Sequence, residues 1–187
     1  MALACTVIVT THNEAANIER CLRSVAPLTD DVLVVDSFST DDTVRKAASL
    51  GAKVLQRAYQ GPAEQKNWAI PQARHEWILL LDADEAATPE LLTEIQALLR
   101  LPTGPPEQLY WIPRNNYFLG QRIRFSGWQG DRVIRFFHRE HGRYNDQQVH
   151  EEIITTGKRV SQLRHHLDHY TYRSLDHYLD KTRRYAR

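Results

Sequence analysis

Three apolar runs in the first hundred residues each end in side chains suited to a nucleotide or a cation. Ala4–Thr10 opens onto Thr10-Thr-His-Asn-Glu14, Asp31–Asp36 onto Asp36-Ser-Phe-Ser-Thr-Asp41, and Glu76–Asp82 onto Asp82-Ala-Asp84-Glu85. Parallel sheets collect ligands at the carboxyl ends of their strands, so this coincidence outweighs any single motif. Asp82 and Asp84 would point to opposite faces while a strand lasts, and in the turn beyond it they can converge on one cation. Their hard oxygens suit Mg2+ or Mn2+ bridging to phosphate. An isolated Asp-x-Asp is also a common way to start a helix. Here Ile78-Leu-Leu-Leu81 precedes it, and Glu85 and the Thr88-Pro-Glu90 start signal follow it, which sets it apart. A carboxylate at Asp36, followed by Ser37, can accept hydrogen bonds from a base or a ribose hydroxyl. A turn with a helix cap accounts for Thr40 to Asp42 but not for Asp36. Lys66, shortly after Gly61-Pro62, can reach a phosphate; a solvated lysine is the plainer reading.

The elements that must position these residues alternate strand and helix. Ala4–Thr10, Asp31–Asp36, Lys53–Leu55 and Glu76–Asp82 read as buried strands from their short β-branched or apolar runs. Between them, Asn13 is expected to cap a helix with Ile18, Leu22 and Val25 on its apolar face. Thr40 is expected to cap a second helix that Gly51 ends, and a third follows Gly61-Pro62. Thr88-Pro89-Glu90 starts a fourth, which runs to about Arg100. This alternation predicts a mostly parallel, Rossmann-like sheet with helices on both faces. The loop Leu101–Glu107, with three prolines and a glycine, is the clearest boundary. It divides a single domain, 1–187, into a half at 1–101 and a smaller, strand-rich half at 102–187. In the second half the expected strands are Leu109–Pro113, Arg132–His138 and Val149–Ile153. An amphipathic helix capped by Ser174, with Leu175, Tyr178, Leu179 and Thr182 on one stripe, closes the chain.

Composition narrows the class. The 187 residues are 42% hydrophobic and 25% charged, enough for a globular core without disulfides or metal staples. The longest apolar run is far short of a membrane span, and the N-terminus goes straight into a strand pattern without the basic region of a signal peptide. Cys5 and Cys21, both among apolar neighbours, point to buried thiols in a reducing, cytoplasmic setting. The net charge of +1 hides an asymmetry: residues 1–113 carry 9 Lys and Arg against 15 acids, and residues 114–187 carry 15 against 8. The basic half is either a solvated surface or a face for phosphates or an anionic membrane.

The segments Thr6-Val-Ile-Val-Thr-Thr-His-Asn-Glu14, Val34-Val-Asp-Ser-Phe-Ser-Thr-Asp-Asp-Thr43, Gly61 to Asn67, Leu79-Leu-Leu-Asp-Ala-Asp-Glu85 and Thr88 to Leu91 together resemble the family 2 glycosyltransferases of the GT-A fold. The resemblance continues through Gly127-Trp128, Asp131 to Arg139, Val149-His-Glu151 and His169, and it is nearest to the bacterial lipopolysaccharide core β-1,4-glucosyltransferase group. It implies an inverting, metal-dependent hexosyltransferase. The donor implied is a nucleotide sugar, UDP-glucose by default. The acceptor implied is a hydroxyl of a cell-envelope glycan or lipid-linked acceptor, with peripheral contact at the inner membrane face. Carried over residue by residue, Thr10, Asn13, Glu14, Asp36, Ser37, Lys66 and Asp82 line the nucleotide site. Asp84, with Asp82 and His169, holds Mg2+ or Mn2+, and Glu151 takes the place of the catalytic base. Phe38 departs from the glycine often found in the Asp-Ser loop. The final residues Lys181–Arg187 stop inside a helical pattern where relatives often continue.

The residues themselves bear on these assignments. In an extended Val149–Ile153, Val149, Glu151 and Ile153 share one face, which leaves Glu151 partly desolvated between aliphatic neighbours. His150 or His169 can complete a metal shell, with His169 ranked above His165 and His166. Two rival readings are a Mg2+-dependent phosphotransferase built on Asp82 and Asp84, and a nucleic-acid-binding module. The second would use the arginine-rich half with Tyr110, Trp111, Tyr117 and Trp128 as stacking platforms. It leaves the acidic strand ends unexplained, so no nucleic-acid partner is expected.

Overall fold

The computed structural model describes residues 3–125, 128, 130–145 and 151–172. Its first half alternates β1 (Cys5–Thr11), α1 (Ile18–Val25), β2 (Val32–Asp36), α2 (Thr43–Ser49), β3 (Lys53–Gln56), α3 (Pro62–Ala69) and β4 (Trp77–Asp82). There follow β5 (Glu85–Ala87), α4 (Pro89–Leu99), β6 (Leu109–Phe118), β7 (Gln121–Arg122), β8 (Arg132–His138), β9 (Val160–Gln162) and β10 (Leu167–Tyr172). The strands form one curled sheet in the order β3-β2-β1-β4-β8-β6-β10-β5, with β7 and β9 also pairing with β6. β3, β2, β1 and β4 run parallel; β8 turns antiparallel between β4 and β6.

Side chains alternate between the two faces, and each face has its own core. Val7, Val9, Val34, Leu79 and Leu81 meet Ile18, Cys21, Leu22 and Val25 of α1 and Leu91, Leu92 and Ile95 of α4. Ile8, Leu33, Val35, Ile78 and Leu80 meet Ala63 and Ala69 of α3 on the other side. Ile18, Cys21, Leu22 and Val25 recur at helical spacing, so α1 exists because that stripe has a sheet to cover. α4 starts as its sequence dictates: Thr88 Oγ1 accepts the Leu91 N–H at 3.3 Å, with Pro89 at the first helical position.

β8 contains a register fault. Tyr110 pairs with Phe136 and Trp111 with Ile134, so Arg135 is a surplus residue opposite no partner on β6. On the other side, pairing with β4 stops at Leu79 and Phe136. A bulge of this kind re-aims one side chain without disturbing the ladder beyond it. Val133 and Phe136 serve one core and Ile134 and Phe137 the other, while Arg135 is thrown out toward the end of β4.

Several sequence expectations need correction. α1 begins at Ile18 and α2 at Thr43, so neither Asn13 nor Thr40 is a helix cap. Their polar groups instead sew the loops after β1 and β2 together. The Asn13 N–H donates to Ser39 Oγ, the Thr40 N–H to Asn13 Oδ1, the Glu14 N–H to Thr43 Oγ1 and the Ala15 N–H to Asp41 Oδ2, all within 3.1 Å. Asn13 and Phe38 both take positive φ, a backbone conformation that glycine adopts most readily. Leu109–Pro113 continues to Phe118, and β5, β7, β9 and β10 were not expected. Of the expected strand Val149–Ile153, the first two residues lie outside the described part; Glu151 and Glu152 are not strand, and Ile153 makes a single bridge to Tyr144. The closing helix from Ser174 also lies outside the described residues.

Candidate active site

A cavity of about 850 Å3 opens where β1 and β4 end and β8 diverges from β4. Thr10, Glu14, Ser37, Lys66, Asp82, Asp84, Glu151 and His169 all line it, six separate stretches of sequence brought to one place. Asn13 and Asp36 do not line it. Asp36 is wholly buried beneath the loop, where its carboxylate accepts from the Ser39 N–H and hydroxyl and from Gln56 Nε2. Asn13 holds the loop together as described above, and Glu14 braces the entry to α1 by accepting from Asn17 Nδ2 at 2.7 Å.

The floor is a buried charge network centred on Asp82. Thr10 Oγ1 donates to its Oδ1 at 2.9 Å, Lys66 Nζ lies 3.2 Å from the same oxygen, and Arg135 pairs with Oδ2. Lys66 continues the network to Glu151, 2.6 Å away, and Arg135 continues it to Glu85 at 3.1 Å. Glu85 in turn meets Arg114 at 3.2 Å and accepts the Asp82 N–H, which fixes the turn between β4 and β5. Burial opposes charge on Asp82, yet Arg135 and Lys66 hold its carboxyl far below the usual carboxylate range. Burial likewise opposes charge on Arg135, but Asp82 and Glu85 hold it well above its ordinary value. Burial and Arg135 push Lys66 down, and Asp82, Tyr144 and Glu151 more than reverse that. All three therefore stay charged inside the protein.

On the cavity wall, His169 of β10 brings Nε2 to 3.6 Å from Asp84 Oδ2. A carboxylate and an imidazole facing one another are an oxygen and nitrogen donor set of the kind that holds Mn2+ or Mg2+. Asp82, expected as a further ligand, has its oxygens on Thr10, Lys66 and Arg135 instead. His150, an alternative ligand, lies outside the described residues. A second gathering of ligand types, His138, Glu140 and His141, sits at the far end of the sheet, where His138 pairs with Trp77 at the start of β4.

Sequence reading missed Arg114, Asn116, Asp131, Arg135 and Tyr144 as parts of this site, and named Glu85 only as the end of the strand-four run. One signal was available: Arg135 is the lone charge inside Val133-Ile-Arg-Phe-Phe137. Three of the four aromatics of the nucleic-acid reading have partners within the protein. Tyr110 is buried against Trp77 and Phe136, Tyr117 stacks on Tyr170, and Trp111 lies under Arg132.

Residues 6–156 match the family model described as glycosyl transferase family 2. A Rickettsia bellii protein described as an uncharacterized glycosyltransferase is 50% identical over 86 residues, covering 46% of this chain and 29% of that protein. The lipopolysaccharide core biosynthesis glycosyltransferase LpsC of Rhizobium meliloti is 30% identical over 155 residues, covering 78% of this chain and 55% of LpsC. The matched part thus spans under a third of the first relative and about half of the second. Among solved structures, S. aureus TarS superposes with a TM-score of 0.67 at 20% identity, covering 90% of this chain and 37% of that one. Glucosyl-3-phosphoglycerate synthase from Mycobacterium tuberculosis, in complex with Mn2+, UDP and phosphoglyceric acid, superposes at 0.65 with 22% identity, covering 97% and 75%. These likenesses establish the mixed α/β, GT-A type of fold. With the family match running from β1 past Glu151, the chain belongs to glycosyl transferase family 2.

Proposed function

We propose that this glycosyltransferase moves a hexose, with inversion, from a UDP-sugar to a hydroxyl of a cell-envelope glycan or glycolipid such as lipopolysaccharide core. The observation that carries the reading is the meeting of Asp84, His169 and Glu151 in one cavity at the strand ends. The choice of UDP draws support from structures of like fold solved with UDP and Mn2+ or with UDP-GlcNAc. The choice of acceptor draws support from the likeness to LpsC.

In this reading Asp84 and His169 hold the divalent cation, and Asp82 sets the charged floor behind them. A bound cation would neutralise the diphosphate leaving group without proton transfer. Thr10, Ser37 and Lys66 line the nucleotide side of the cavity, with Asn13, Glu14 and Asp36 shaping its loops. Glu151 takes the proton of the acceptor hydroxyl as that oxygen attacks from the face opposite the diphosphate. Its present partner, Lys66, keeps the carboxylate oriented into the cavity at 2.6 Å. The basic second half offers arginines whose paired N–H groups suit a phosphorylated acceptor. Residues 1–101 then serve the donor and 102–187 the acceptor, within one catalytic domain. No described helix is long and apolar enough to cross a membrane. The buried free thiols of Cys5 and Cys21 fit a reducing compartment, and the proposed placement is the cytoplasm, at the inner membrane face.

A thermal-shift panel of nucleoside diphosphates, with and without Mn2+, tests this. UDP with Mn2+ should raise the melting temperature most, by mass action, and Asp84→Asn should remove the Mn2+ dependence. A panel in which no nucleoside diphosphate stabilises the protein, or an Asp84→Asn protein that keeps the Mn2+ effect, overturns the reading.

A further inference from the structure

We propose that Asn116 is a positioning residue: it fixes the tautomer of His169 so that Nε2 is presented, unprotonated, beside Asp84. This rests on the cation reading of that pair and extends it to a residue that acts through His169 and would touch neither the cation nor the substrate.

The argument runs along a chain of groups whose donor and acceptor roles are forced. Arg114 grips Asp131 with two N–H groups, Nε to Oδ2 at 3.0 Å and Nη2 to Oδ1 at 2.9 Å. Asp131 therefore stays a carboxylate, which can only accept. Asn116, 2% exposed, lies 2.7 Å from Asp131 Oδ2, so the end of its amide facing Asp131 is the donating Nδ2. That turns Oδ1 toward His169, 2.8 Å from Nδ1. An amide oxygen only accepts, so Nδ1 carries the hydrogen, and a neutral ring then leaves its lone pair on Nε2.

Nε2 faces Asp84 Oδ2 at 3.6 Å, so the arrangement sets a lone pair against a carboxylate with room for a cation bound to both. Thr171 Oγ1 lies 3.2 Å from Nδ1 and 3.3 Å from Nε2. A point nearly equidistant from both nitrogens is in line with neither lone pair, so Thr171 packs against the ring rather than satisfying Nε2. The sheet pins the pair as well: His169 and Asn116 are partners in the register between β10 and β6, and His169 pairs with Glu85 of β5 on its other side. This register holds the backbones of His169 and Asn116 side by side, so the amide and the ring start from neighbouring positions. Outer partners of this kind typically govern metal affinity by about 10–100-fold.

The test reads the tautomer directly and then its consequence. In metal-free protein labelled with 15N-histidine, long-range proton–nitrogen spectra taken across a pH series should show the neutral form of His169 with a protonated Nδ1 and a bare Nε2. Mn2+ affinity in the presence of UDP, followed by the paramagnetic resonance of free Mn2+, should fall about 10–100-fold in Asn116→Leu, a near-isosteric change. It should fall at least as far in His169→Ala. A wild-type spectrum with hydrogen on Nε2 overturns the inference without any variant, so a misfolded Asn116→Leu protein does not rescue it. Unchanged Mn2+ affinity in Asn116→Leu, alongside a loss in His169→Ala, overturns the role of Asn116 and leaves the cation site standing. Unchanged affinity in His169→Ala overturns the cation reading itself, and this inference with it.

Discussion

Glu151 and Glu152 are neighbouring carboxylates that line the same cavity with different attachments. Glu151 accepts from buried Lys66, whereas the backbone of Glu152 is tied to Asn145, its N–H donating to Oδ1 at 3.1 Å and its carbonyl accepting at 2.9 Å. Glu151→Gln keeps the shape and removes the basicity, so kcat should drop at least about 100-fold, the lower scale of general base catalysis. UDP-sugar binding, by calorimetry, should change little, and Glu152→Gln should stay within a few-fold of the parent in both. The reverse pattern would move the base one residue on. At this scale the sequence was legible wherever a strand end coincided with a polar residue, as at Thr10, Asp82 and Asp84. Asp36 illustrates the limit. Its type and place suit a ligand contact, but Ser39 and Gln56 take up its oxygens, and only folded geometry reveals that.

Among the elements, α4 was legible because its start is local chemistry: Thr88 caps, Pro89 presets the backbone, and Leu91, Leu92 and Ile95 give the stripe. Thr88→Ala should therefore lower unfolding stability by about 1 kcal/mol, the usual worth of a hydroxyl cap, with donor affinity untouched. Urea melts would check it; a loss above about 3 kcal/mol would mean that Thr88 also supports the β5 turn and is more than a cap. β5, β9 and β10 were not legible for the opposite reason. Each is short, and each depends on pairing with residues far away in sequence, as His169 does with Asn116 and Glu85. Their alternation is broken by polar residues that serve the cavity or its charged floor: Glu85 in β5 and His169 in β10.

For the whole molecule, the buried network makes acid the natural denaturant. The folded-state pKa of Asp82 lies below its unfolded value, so its contribution is complete above the ordinary carboxylate range near about 4. It fades as pH falls from there toward the folded pKa. Asp131, half-buried and also lowered by Arg114 and Asn116 against the pull of burial, acts in the same direction. Stability should thus be nearly level between about pH 7 and 5 and fall steeply below about 4. Asp82→Asn should lower stability at neutral pH, because Lys66 and Arg135 lose a shared counter-charge and keep only Glu151 and Glu85, and it should flatten the acid limb. Parallel stability–pH curves for variant and parent would show that Asp82 carries none of it. The parallel strand frame behind this network was readable from alternation alone. The network itself was not, because it depends on which side of a sheet a single arginine leaves.

That arginine is stored in the gene as a length. β8 has one residue more than the stretch of β6 it pairs with, and Arg135 is the extra one. Deleting its codon would bring Ile134 next to Phe136 opposite Trp111 and Tyr110, a continuous ladder with an unbroken apolar alternation. The sheet's pairing would read as intact while Asp82 and Glu85 lost the cation they share. One in-frame deletion would therefore remove the guanidinium shared by Asp82 and Glu85 while leaving a sequence that still reads as the same strand. Comparing strand lengths would expose that loss where comparing residue types would not.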